Sequence, residues 1–254
     1  MTVTTTATTT APRAQATDDD PRRPWFVVGL DLGQAADYTA LCVAERTYVP
    51  DPADPKKWVS SYGVRHLRRW PLTTPYTAVV ADLATLMRRP PLPNSPLVVD
   101  ATGVGRPVVE LIRRAGLPAW VTPVVIHGGH DLGWGPDGSD HVPKKDLVGV
   151  MQTLVQFRRF HIAPALPEAK VLGRELQQFR VKVNVLTGNE TFEAWREREH
   201  DDLVLAVALA CWFGEQHPPF ERHTPIPNPR PRDPFSGGPS AYQRMLDRMR
   251  GRRG

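Results

Sequence analysis

Four carboxylates in this chain stand where an acid needs a reason. Asp31 lies inside the apolar run WFVVGLDLG (25–33). Strand alternation there places Phe26, Val28, Leu30 and Leu32 on one face and Val27, Gly29, Asp31 and Gly33 on the other. Asp31 therefore has a glycine two residues away on each side, on a face with so little side-chain bulk that something large could approach the carboxylate closely. An acid in a central strand is costly unless paired, and a metal ion is a common partner, although a hydrogen bond to the following turn would also serve. Asp100 ends a second apolar run, LVVD, just before Ala-Thr-Gly. Asp201 and Asp202 precede LVLAVALACWF, which is apolar all round and reads as a buried helix. One Asp at a helix start is explained by capping and by the helix dipole. A second beside it points to a ligand.

Carboxylates converging on one point repel each other and call for divalent cations. Hard oxygen donors select Mg²⁺ or Mn²⁺, and two such ions roughly 3.5–4 Å apart suit in-line attack on a phosphodiester. One ion would activate water and the other would stabilise the leaving 3′ oxygen. Consecutive residues at a helix start point about 100° apart, so Asp201 and Asp202 cannot serve one ion equally. Asp202 shares a helical face with small Ala206 and is expected to bind the ion, with Asp201 as the cap.

The elements that must position these acids follow from periodicity. Residues 25–45 read as two strands around a glycine turn, and 58–70 as a third strand. Thr73 or Thr74 is expected to cap a helix that ends before Pro90. Residues 96–118 read as strand, glycine turn and amphipathic helix, and 119–127 as a fifth strand. A helix over 142–160 carries an apolar stripe at Leu147, Val150, Met151 and Leu154. Another runs from about Pro167 to Phe179, followed by a short strand and turn in VKVNVLTGNE and by the final helix. The expected architecture is α/β: a mixed five-stranded sheet of a three-strand antiparallel meander plus two parallel strands, flanked by helices. The first strand is then central with the fourth parallel beside it, so Asp31 and Asp100 meet near their carboxyl ends.

The 254 residues are 41% hydrophobic, enough for a real core, and no apolar run approaches the roughly 20 residues of a membrane span. Cys42 and Cys211 sit in apolar segments without metal-ligand spacing, as expected of a reduced cytoplasmic protein. His127, His130, Asp131, Asp140 and His141 match no metal-ligand pattern, and the glycine-rich residues 128–141 among them read as a loop or loose hairpin, with a mobile loop near the active face preferred. Residues 1–24 read as a disordered leader, 25–216 as the folded domain and 217–254 as a Pro/Arg-rich basic tail. That tail holds eight Arg against Glu221, Asp233 and Asp247, and so accounts for the whole formal net charge of +5.

Four stretches, LDLGQAADYTALCVAE, VVDATGVGRPVVELIRRAG, VPKKDLVGVMQTLV and REHDDLVLAVALA, together resemble the nuclease domain of tailed-phage terminase large subunits, in that family's order. The resemblance spans roughly residues 25–215. It implies a ribonuclease H-like fold and an endonuclease dependent on two divalent cations, Mg²⁺ or Mn²⁺, cutting concatemeric double-stranded DNA during packaging in the bacterial cytoplasm. Carried over by motif, Asp31, Asp100 and Asp202 form the catalytic triad and Asp201 assists as a metal ligand. Lys144, with Lys145 beside it, matches the lysine of that family's Val-Pro-Lys motif and is expected near the phosphate backbone, although a solvated lysine at a helix start would read the same. Separately, the basic charge of the tail makes Arg248 and Arg250 expected DNA contacts. No G-x-x-x-x-G-K-[ST] motif occurs, so a separate packaging ATPase is expected, with a small terminase subunit or portal as further partners. A Holliday-junction resolvase would share fold and acids. An actin-like ATPase would need a second phosphate loop. A non-catalytic DNA- or portal-binding adaptor could use the tail alone.

Overall fold

The computed structural model describes residues 24–33, 37–51, 53–103, 105–185 and 201–217. The leader, the tail with Arg248 and Arg250, and residues 186–200 lie outside the described residues, so the expectations placed on them stay where the sequence left them. All elements belong to the first of the chain's two units, residues 1–219.

Three long strands open the fold: β1 (Trp25–Asp31), β2 (Ala40–Pro50) and β3 (Trp58–Arg69). β1 pairs antiparallel with β2, and β2 with β3, forming the expected meander. Helix α1 (Tyr76–Met87) leads to β4 (Ser95–Asp100), and α2 (Gly105–Arg114) leads to β5 (Ala119–His127). β4 lies parallel to β1, and β5 parallel to β4. This is the ribonuclease H-like arrangement, with β1 central. Three short strands widen the expected five-stranded sheet to eight: β6 (Gly133–Trp134), β7 (Asp140–Pro143) and β8 (Phe160–Ile162), in the order β6-β7-β5-β4-β1-β2-β3-β8. At two to four residues they are too short to show a period of their own. β6 and β7 make a hairpin of the glycine-rich stretch.

The side-chain alternation of the strands divides the core in two. Val28, Leu30, Leu41, Val43, Leu97 and Val99 pack against α1 and α2. Val27, Ala40, Cys42, Val98 and Val124 pack on the other face, against α3 (Lys144–Gln156), α4 (Ala169–Val185) and α5 (Asp202–Gln216). α5 is buried on nearly every side, which explains its uniformly apolar sequence. Each Leu or Val sealed there contributes about 1.5–3 kcal/mol relative to exposure.

Some boundaries differ from expectation. α1 starts at Tyr76 behind Pro75, with no side-chain cap, because Thr74 Oγ1 donates to the Pro71 carbonyl instead (2.6 Å). α3 is shorter than 142–160, since its flanks are taken into β7 and β8. Residues 181–185 continue α4 and form no strand.

Candidate active site

The strand register sets the first pair of acids. Leu30 is level with Val99, so one residue further Asp31 lies beside Asp100 on adjacent parallel strands, which run about 4.8 Å apart. Both alternate with Val27 and Val98, and therefore face the α3–α5 side of the sheet.

Helix α5 supplies the second pair. Its carboxyl end meets the start of β1, where the Trp25 and Phe213 rings lie 6.1 Å apart. Midway it touches β1 so closely that a Cβ on Gly29 would sit 1.9 Å from the Ala206 carbonyl oxygen. The helix thus runs antiparallel to β1. One turn before Ala206 comes Asp202, and two residues after Gly29 comes Asp31, so the acidic helix start is carried over the acidic strand end. The glycines beside Asp31 serve the chain itself: Gly29 admits α5, and a Cβ on Gly33 would strike Asp37 and Tyr38 backbone. The expectation that this glycine face admits a large ligand is therefore corrected, since protein backbone already occupies it.

Asp31, Asp100 and Asp202 are all buried. Burial, and then the charges of Asp100, Asp202, Asp201 and Asp37 in that order, push the Asp31 carboxyl well above its ordinary range. Asp100 accepts the Thr102 backbone N–H at 2.7 Å, and Thr102 Oγ1 accepts the Ile126 N–H at 2.7 Å, fixing the turn after β4 to β5. Gly103 follows at φ 85°, a left-handed conformation that glycine adopts without strain.

Asp201 occupies the N-cap position of α5, but its side chain does not cap. That task falls to Glu175 of α4, whose Oε2 accepts the Val204 N–H at 3.1 Å. The other oxygen of Glu175, Oε1, accepts from Arg69 Nη2, and the same guanidinium nitrogen lies 3.6 Å from Asp202 Oδ2. Arg69 is level with Ala40, which is level with Asp31, so it reaches the site from two strands away. Its guanidinium lies 4.8 Å from the Tyr38 ring centre. Burial lifts Glu175 to about 7, against the opposing pull of Arg69 and the Val204 N–H. Neither Arg69 nor Glu175 was singled out from sequence. In the sequence Arg69 is one of several basic residues interleaved along the third strand, and Glu175 falls within the helix expected from about Pro167 to Phe179.

Around this centre, Tyr76 Oη donates to the Gly33 carbonyl at 2.8 Å, and Gly33, Asp37, Thr39, Thr73, Thr74 and Tyr76 line a cleft of about 180 Å³. Lys144 begins α3 directly after β7, and Lys145 Nζ lies 3.2 Å from His130 Nδ1. β7 sets Asp140 level with Val124, which is level with Asp100. Burial raises Asp140 to about 6, with His141 opposing. Among the described residues no three His, Cys, Asp or Glu side chains are already gathered around one point, and this includes the histidines of the glycine-rich stretch. The donors at Asp31 nevertheless suit a hard divalent cation: all are carboxylate oxygens, and their mutual repulsion is what a cation would relieve.

No protein-family model matches the sequence, and no curated protein matches it. Among solved structures, the chain is similar to the large terminase nuclease from thermophilic phage G20c, at 20% identity over 74% of this chain and 81% of that one, with a TM-score of 0.45. It is similar also to the same nuclease with bound zinc, at 19% identity over 74% and 80% of the two chains, with a TM-score of 0.44.

Proposed function

We propose that this chain is a divalent-metal-dependent endonuclease that hydrolyses phosphodiester bonds in duplex DNA, acting as a terminase-type nuclease in viral DNA packaging. The reading is carried by the register that sets Asp31 beside Asp100, by the Gly29–Ala206 contact that brings the Asp201-Asp202 start of α5 toward that pair, and by the burial and like charges that disfavour Asp31 as a bare anion. Asp31, Asp100 and Asp202, with Asp201 beside them, would hold two Mg²⁺ or Mn²⁺ ions. Such ions, when bound, lower the pKa of an attacking water and neutralise charge on the phosphate.

The remaining work belongs to the protein's own groups. The turn at Thr102 keeps the Asp100 carboxylate oriented, and Glu175 ties the start of α5 to α4 and, through Arg69, to β3. Lys144 and Lys145, at the carboxyl end of β7, are proposed to attract the DNA backbone. Double-stranded DNA is the substrate, with translocation supplied from outside these 254 residues by a packaging ATPase, alongside a small terminase subunit or portal. The host cytoplasm is the corresponding place of action. Among the described residues no helix is long and apolar enough to cross a membrane.

A supercoiled-plasmid nicking assay with Mg²⁺, Mn²⁺, Ca²⁺ or excess EDTA tests the reading. Nicking with Mg²⁺ or Mn²⁺, leaving 5′-phosphate and 3′-hydroxyl ends, is the expected result, and Asp31→Asn should abolish it while the protein stays folded. Cleavage undiminished in EDTA, or full activity of the Asp31→Asn variant, would overturn it. Branched DNA in a parallel arm separates a junction resolvase from a nuclease of linear duplex.

A further inference from the structure

The cluster joining β3, α4 and α5 contains a cation that the proposed chemistry does not use. Arg69 Nη2 donates to Glu175 Oε1 and lies 3.6 Å from Asp202 Oδ2, with its side chain 16% exposed against 5% for Glu175 and 6% for Asp202. The Glu175 carboxylate is held on both sides, by Arg69 and by the Val204 N–H inside the first turn of α5. Of its two carboxylate partners Arg69 therefore has one firm and one looser, and the looser one is an acid expected to bind metal. A guanidinium cannot lose its proton here, so its charge is permanent.

We propose that Arg69 is a placeholder cation: it neutralises Asp202 while no divalent ion is bound, and Glu175 retains it when Asp202 turns to the metal. This inference rests on the metal reading above and adds two positioning residues, Arg69 and Glu175, to it. The physical need is plain. Asp100, Asp202 and Asp201 all bear as like charges on the buried Asp31, and a fixed cation at the edge of the set lowers that repulsion in the metal-free protein. The same cation competes with the incoming ion for Asp202. Glu175 moderates the competition by drawing the guanidinium away.

The placeholder makes the two substitutions act in opposite directions on metal affinity. Arg69→Gln removes a competing positive charge, so Mn²⁺ should bind more tightly, by about fivefold or more, in a metal-free protein that melts at a lower temperature. Glu175→Gln leaves the guanidinium with Asp202 as its charged partner, so Mn²⁺ should bind more weakly by a similar factor. If Arg69 and Glu175 merely held the fold together, both changes would weaken binding. Isothermal titration of the full chain with Mn²⁺ alone, at fixed pH and ionic strength, measures both. Should Arg69→Gln fail to fold, Arg69→Met keeps the length of the side chain without the charge and carries the same expectation. Tighter binding by the Arg69 variant with weaker binding by the Glu175 variant supports the placeholder. Weaker binding by both, or no change in the Arg69 variant while the parent binds Mn²⁺, overturns it and leaves the metal reading standing. A parent chain that does not bind Mn²⁺ overturns the metal reading and the placeholder together.

Discussion

Gly29→Ala should separate the two halves of the site with one methyl group. The added Cβ would lie 1.9 Å from the Ala206 carbonyl oxygen, 3.0 Å from its carbonyl carbon and 3.1 Å from the Ala210 nitrogen. All three are backbone atoms of a helix buried on nearly every side, so no side chain can swing away to make room. Restoring an ordinary contact of about 3.4 Å requires the helix to withdraw by roughly 1.5 Å. Overpacking of this kind usually costs ~1–3 kcal/mol, and the upper end is expected where backbone must move. The withdrawal also lifts Asp202 from Asp31, and a misplacement of about 1 Å can cost ~100-fold in rate. Gly149→Ala is the matched control: it lies within α3 with nothing inside 4 Å of its would-be Cβ, and should be neutral or stabilising by up to ~1 kcal/mol. Urea denaturation of both variants, with Mn²⁺ titration and plasmid nicking, checks the chain of cause. A Gly29→Ala protein as stable as the parent and equally able to bind Mn²⁺ would refute the claim that this contact registers the helix on the strand.

Three further outcomes are expected. Because Glu175, not Asp201, satisfies the Val204 N–H, Asp201→Ala should cost less than the ~1 kcal/mol typical of N-cap removal and keep some Mn²⁺-supported nicking, while Asp202→Ala should abolish nicking. Calorimetry and nicking on both variants decide it, and a dead Asp201→Ala beside an active Asp202→Ala would reverse the roles. Asp140, raised by burial from 3.8 to about 6, contributes stability that is complete below pH 3.8 and lost as pH rises through about 6. Asp140→Asn should therefore flatten that part of the stability profile and gain up to about 3 kcal/mol over the parent at pH 8; an unchanged profile in chemical denaturation would count against it. Deleting residues 218–254 should flatten the log–log salt dependence of DNA binding by ~0.9 for each phosphate the tail neutralises, and an unchanged slope would point to a protein partner for the tail.

What the sequence determined by itself was whatever depends on near neighbours along the chain. Alternation assigned Val28 and Leu30 to one core and Val27 and Asp31 to the other, and the crossover rule placed β4 beside β1. Together they brought Asp31 level with Asp100. The acid pair before an apolar run marked the start of α5 in the same way. Tertiary structure decided the rest, because each remaining feature depends on residues far apart in sequence. Gly29 reads as open space until Ala206, far along the chain, fills it. Asp201 reads as a cap until Glu175 takes the Val204 N–H from another helix. Arg69 is one basic residue among several on its strand until the meander and α4 bring Glu175 and Asp202 to it. Periodicity reports which way a side chain faces. It carries no information about which distant backbone, acid or cation will be there to meet it.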